Sequence, residues 1–204
     1  MISLQAQNLT KKFNQHTIFK DLSFIHNKGI LGIAGANGSG KSTLMQCLAH
    51  LIRLNSGSII WNKNEILMNQ KELKSHIGIA APYINLYTEL SVLENLRFLI
   101  EVGGDFVDEE RLLKLLDYVE IHHLKNQLYG SLSTGQQQRV KLAASLVRNP
   151  KILMLDEPGS NLDEKGQSMV SKIVQEASES GKLVLLASND PAEITLCDAV
   201  IEME

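Results

Sequence analysis

Nine consecutive residues, Gly35-Ala36-Asn37-Gly38-Ser39-Gly40-Lys41-Ser42-Thr43, have the types and spacing needed to hold a polyphosphate. Glycines at 35, 38 and 40 let the backbone curl so that successive N–H groups turn inward around phosphate oxygens. Lys41 is placed to reach the β- and γ-phosphates, and the Ser42 hydroxyl to ligate Mg²⁺. A second constellation lies far down the chain, where the apolar run Lys151-Ile152-Leu153-Met154-Leu155 ends in Asp156-Glu157-Pro158. Two carboxylates at one strand end repel each other unless a cation lies between or beside them, and Mg²⁺ would supply that charge. Together the two stretches predict a nucleoside triphosphate site.

The elements that must position these groups are legible around them. Ile30-Leu31-Gly32-Ile33-Ala34 predicts a strand entering the loop, and Leu44 to Leu51 a helix leaving it, so the helix dipole adds to the anion site. The run before Asp156 predicts a buried parallel strand, beyond whose carboxyl end ligands gather in open α/β sheets. Residues 2–26 alternate in short apolar bursts about Asn14-Gln15-His16, predicting antiparallel strands and a hairpin. Phe13, just before that turn, suits stacking on an adenine ring and a place in the core equally well. Short strands are expected at Ser58–Asn62 and Ile77–Ala81, and a last one at Leu183–Ser188.

Helices are expected at Ser91–Glu101, where Ser91 and Glu94 form a capping box, and at Asp105–Tyr118, with a packed leucine stripe. A third begins at Ser133 or Thr134 and runs to about Arg148. His122-His123 has no third ligand at metal spacing, so packing or solvated histidines are expected. At 204 residues, 44% hydrophobic and 21% charged, the chain suits one α/β domain. Its net charge of -3 argues against a broad polyphosphate-binding face, so no nucleic acid is expected as partner. Cys47 and Cys197 predict cytosolic thiols. No apolar run approaches the ~20 residues that cross a bilayer, and the N-terminus has no signal-peptide pattern.

With the glycine-rich loop, Leu132-Ser133-Thr134-Gly135-Gln136 and the Asp156-Glu157 strand in this order, the chain resembles an ATP-binding cassette ATPase over essentially its whole length. The resemblance implies a single ATP-binding domain, residues 1–204, with a P-loop NTPase (RecA-like) parallel-sheet core. An antiparallel β subdomain would cover about 1–30 and 55–80, and a small α-helical subdomain about 83–148. It implies ATP and Mg²⁺ as ligands, held by residues 35–43, with Phe13 stacking on adenine and Ser42 and Asp156 on the metal. Glu157 would polarise the attacking water, and Asn189 stands where the family carries its γ-phosphate histidine. Asn161-Leu162-Asp163 resembles the family's D-loop.

A homo- or heterodimer is implied, in which Ser133, Gly135 and Gln136 of one subunit face the ATP of the other. A separate transmembrane permease would hold the chain on the cytoplasmic face of the membrane, touching residues around 83–104. Three positions depart from the pattern. Pro82 falls where the family has a glutamine and Asn85 lies near it, Asn189 replaces histidine, and Thr134 replaces the first signature glycine. These departures predict intact ATP binding with slow hydrolysis, or pairing with a less altered subunit. The alternative is a non-transport or regulatory module with little turnover.

Overall fold

The computed structural model describes all 204 residues, 1–204. β1 (Ile2–Phe13) and β2 (His16–His26) form the expected hairpin, with Asn14 taking the left-handed conformation in the turn. β3 (Ile30–Gly35) leads through the glycine-rich loop into α1 (Lys41–Leu48). β4 (Ser56–Lys63) and β5 (Ile66–Leu67) return to the hairpin, giving an antiparallel sheet in the order β2-β1-β4-β5. α2 (Gln70–His76) then precedes β6 (Ile77–Ala80). The helical layer holds α3 (Val92–Val102) and α4 (Glu109–Tyr118), followed by α5 (Thr134–Leu146). β7 (Ile152–Asp156), α6 (Glu164–Glu179), β8 (Leu183–Ser188), α7 (Pro191–Ile194) and β9 (Ala199–Met203) complete the chain.

β6, β7, β8, β3 and β9 lie in that order in one all-parallel sheet. β7 and β8 are buried at every residue, as the continuous apolar runs Ile152–Leu155 and Leu183–Ala187 require of central parallel strands. One face packs on α3, α4, α5 and α6 through residues such as Leu96, Leu116, Val140 and Val170. The other packs on α1 and the antiparallel sheet through Leu44, Leu48, Leu4 and Trp61. The buried Trp61 indole donates to the Leu48 carbonyl at 2.9 Å, tying the antiparallel sheet to the end of the phosphate-loop helix.

Several boundaries differ from the expected ones. The antiparallel part ends at Leu67, because Ile77–Ala80 pairs in parallel with Ile152–Leu155 and so belongs to the core sheet. A four-residue apolar run carries no record of its partner, which is why the sequence alone placed it with the antiparallel strands. Leu183–Ser188 is not the last strand, since β9 adds an edge beside β3. α5 reaches beyond the helical layer onto β6, where a Cβ on Gly78 would overlap the Ser145 carbonyl and crowd the Pro150 ring. Gly78→Ala should therefore cost about 1–3 kcal/mol. In a calorimetric melt the transition should fall by roughly 2–4 °C per kcal/mol, and an unchanged melt would refute this contact as the reason for glycine.

Candidate functional site

Four loops leave the parallel sheet at its carboxyl edge, and strand order sets them side by side. Ala34 is paired with Ser188, Ala187 with Asp156, and Leu155 with Ala80. The glycine-rich loop after β3, Asn189 after β8, Asp156-Glu157 at β7 and the turn after β6 therefore converge.

The loop is built for an anion. Gly35, Gly38 and Gly40 have φ of 153°, 87° and 101°, the latter two in the left-handed region open to glycine. Gly40 also cannot carry a Cβ without overlapping Ile18 of β2, so the hairpin fixes one wall of the loop. α1 begins with no side-chain cap. Ser39 N–H bonds the Ala36 carbonyl and Leu44 N–H the Gly40 carbonyl, while the amides of Asn37, Gly38, Gly40, Lys41, Ser42 and Thr43 have no protein acceptor. A buried fold ordinarily satisfies such donors, so a run of them at a helix start is an anion cradle.

Lys41 is only 5% exposed, and its ammonium donates to the Gly35 carbonyl at 2.7 Å and the Ala36 carbonyl at 3.1 Å. It also pairs with Glu157 at 3.1 Å. Glu157 sits at φ 50°, an uncommon conformation for a side-chain-bearing residue, and its N–H is held by the Ala187 carbonyl. Asp156 is fully buried. Burial pushes its carboxyl above the usual range, the Ser42 hydroxyl opposes this, the Glu157 charge adds to it, and Lys41 opposes it.

Every buried side-chain oxygen in the chain that lacks a hydrogen-bond partner belongs to this edge: Ser39 Oγ, Tyr83 Oη, both oxygens of Asp156 and Oε1 of Glu157. Hard oxygens of this kind, with net negative charge and a neighbouring serine hydroxyl, suit a divalent cation. The residues present fit one.

The other expected residues are placed differently. Asn189 is exposed and donates through its carboxamide to Asn37 Oδ1 at 3.1 Å, so it does reach the phosphate loop. Phe13 is 48% exposed at the hairpin tip, with the Lys11 ammonium 4.5 Å above its ring, and Ile18 rather than Phe13 touches the loop wall. Ser133 and Gln136 form a full capping box on α5. No hydrogen bond or ion pair joins Ser133, Gly135 or Gln136 to residues 35–43. Ser133 and Thr134 are exposed, and the N–H groups of Thr134 and Gly135 have no acceptor within the chain. α5 is tied to the acid loop twice: Gln138 donates to the Pro158 carbonyl at 2.9 Å, and Gly135 packs on the Asn161 carbonyl too closely for any side chain.

Pro82 is exposed, and its carbonyl and that of Ala81 accept from Lys141. Asn85 is exposed as well. The residue that sequence reasoning passed over is Tyr83, whose hydroxyl is buried without a hydrogen-bond partner; an aromatic after a proline in a loop carries no motif that would reveal it. His122 is engaged by Asp117 at 2.7 Å and by Lys125 at 3.2 Å.

A parallel sheet with a phosphate loop, a paired-acid strand and a capped helix aimed outward defines a P-loop ATPase of the cassette type. The sequence profile of the ABC transporter family matches residues 19–160, and the chain belongs to that family. It is 29% identical over 205 residues to the lipopolysaccharide export system ATP-binding protein LptB of Escherichia coli, covering 97% of this chain and 85% of that one. It is 32% identical over 192 residues to the lantibiotic transport ATP-binding protein SrtF of Streptococcus pyogenes, covering 94% and 82%. Its fold superposes with a TM-score of 0.86 on the dimeric, post-hydrolysis structure of the ATP-binding cassette MJ0796 bound to ADP and Pi, at 26% identity and covering 98% and 94%.

Proposed function

We propose that the chain is the ATP-binding and ATP-hydrolysing subunit that energises a membrane ABC transporter, with slow intrinsic turnover. The observation that carries this reading is the convergence at one sheet edge of free loop amides, a buried lysine ion-paired to Glu157, and an Asp156 carboxylate with no hydrogen bond. The amides of Asn37, Gly38, Gly40, Lys41, Ser42 and Thr43 cradle the phosphates, and Lys41 leaves its own loop carbonyls to reach them. Ser42 and Asp156 would hold Mg²⁺, which would supply positive charge against the triphosphate. Freed from Lys41 in the same exchange, Glu157 orients the attacking water. The contributions are positioning and charge stabilisation rather than covalent catalysis.

The unpaired amides of Thr134 and Gly135, presented outward with Ser133, fit the triphosphate of a second subunit, so closure of the dimer on ATP completes each site. Phe13, exposed at the hairpin tip, is the candidate adenine platform. No helix is long and apolar enough to cross a membrane. Dimer closure passes force to a separate permease. Tyr87 and Phe98, stacked edge to face at 5.0 Å and partly exposed with Val102, give residues 83–104 an apolar surface for that contact at the cytoplasmic face.

Asn189 supplies a neutral donor where a histidine would supply a longer and chargeable one. Losing one transition-state donor typically costs ~10²–10³ in rate, so turnover of the wild-type protein should lie near or below about 0.1 s⁻¹. Asn189→His should raise steady-state phosphate release at least about tenfold. A wild-type rate of ~10 s⁻¹, or no gain in the variant, would sink the slow-site reading.

A further inference from the structure

We infer that Tyr83 is a further residue of the nucleotide site, its hydroxyl positioning the divalent cation that accompanies the triphosphate through a hydrogen bond to an oxygen of the cation's shell beside Asp156. The inference rests on the proposed MgATP reading and deepens it. β6 and β7 run parallel with Ala80 opposite Leu155, so the chain leaving β6 and the Asp156 carboxylate emerge next to each other. Three residues beyond Ala80, past Pro82, the Tyr83 hydroxyl is buried without any hydrogen-bond partner. The Asp156 carboxylate, at the end of the adjacent strand β7, is also buried with neither oxygen hydrogen-bonded.

A buried hydroxyl left unpaired costs about 1–3 kcal/mol. The Tyr83 hydroxyl and the Asp156 carboxylate are each free to bind an entering group. The turn is held by Lys141, whose ammonium grips the carbonyls of Ala81 and Pro82 at 3.3 and 3.4 Å, so the ring is aimed by the backbone rather than by a mobile loop. The exposed side chains of Pro82 and Asn85 offer nothing to the interior at this edge. Tyr83 is a positioning residue: it touches the cation's oxygen shell and not the phosphorus.

Tyr83→Phe removes the oxygen and keeps the ring. Titration calorimetry with ATP, in EDTA and in excess Mg²⁺, on the wild-type and variant proteins isolates the metal-dependent part of binding. Outer partners of metal ligands typically contribute 10–100-fold, so the tightening of ATP by Mg²⁺ should shrink about tenfold or more in the variant. Affinity in EDTA should stay within about twofold, and the melting temperature should hold or rise because an unsatisfied group has been removed. Equal Mg²⁺ enhancement in both proteins would overturn the inference. So would a uniform loss of affinity with and without Mg²⁺, or a lowered melting temperature, since either marks a structural hydroxyl. Absence of ATP binding by the wild-type protein under both conditions would instead defeat the nucleotide reading itself.

Discussion

Lys41→Ala should raise the dissociation constant for ATP by about 100-fold or more, measured by calorimetry on the intact chain. The lysine ammonium is almost wholly buried and already holds three oxygens: two loop carbonyls and the Glu157 carboxylate. Charge-assisted hydrogen bonds contribute about 1.5–3 kcal/mol each, and two phosphates bridged by one ammonium bring the total to roughly 3–5 kcal/mol. At about 1.4 kcal/mol per tenfold, this is at least two decades of affinity. Alanine also strands the Glu157 carboxylate beside buried Asp156 with no cation near either, which adds repulsion where the triphosphate must enter. Binding as tight as wild type would remove the phosphate loop from the account.

The second large effect is expected at the acid pair. Glu157→Gln keeps the side-chain length and the backbone turn at φ 50° but removes the carboxylate proposed to orient water. Steady-state phosphate release should fall by about 10²–10³-fold, while ATP affinity changes little because the loop amides and Lys41 are intact. If closure on ATP and reopening after hydrolysis are linked, the variant should accumulate as a dimer in MgATP, seen as doubled mass by light scattering. Asp156→Asn is the contrasting change, since it removes the proposed anchor of the cation and should weaken the Mg²⁺-dependent part of binding in preference to turnover alone. Undiminished phosphate release from Glu157→Gln would place the water elsewhere.

Much of the architecture could be read from local pattern. The strand–loop–helix at 30–48, the buried runs at 152–156 and 183–188, the capping box Ser91/Glu94 and the N-cap at Ser133 all form as expected, because each is decided by neighbours a few residues away. Features decided at long range were not legible. β9 is a half-exposed edge strand whose only claim to strand structure is its pairing with β3. α2 buries Leu73 alone, so it lacks the apolar stripe that betrays a helix. β6 gave no sign of its parallel partner, and with that partner went the position of Tyr83 relative to Asp156. The glycine at 78 likewise looks like an ordinary weak point of a strand until Ser145 of α5 is found lying across it.

The two stitches that fasten α5 to the acid loop, Gln138 to Pro158 and Gly135 against Asn161, bear on how a pair of subunits shares its labour. In the proposed dimer the tip of this rod meets a neighbour's triphosphate, while its shaft is fixed one residue away from Glu157 of its own chain. Arrival or departure of the neighbour's terminal phosphate therefore tugs on the home carboxylate through a stiff strut rather than a slack tether. Two such subunits, each facing the other's triphosphate as proposed, would form a crossed linkage, like paired scissor arms, in which spending one ATP is felt at the other.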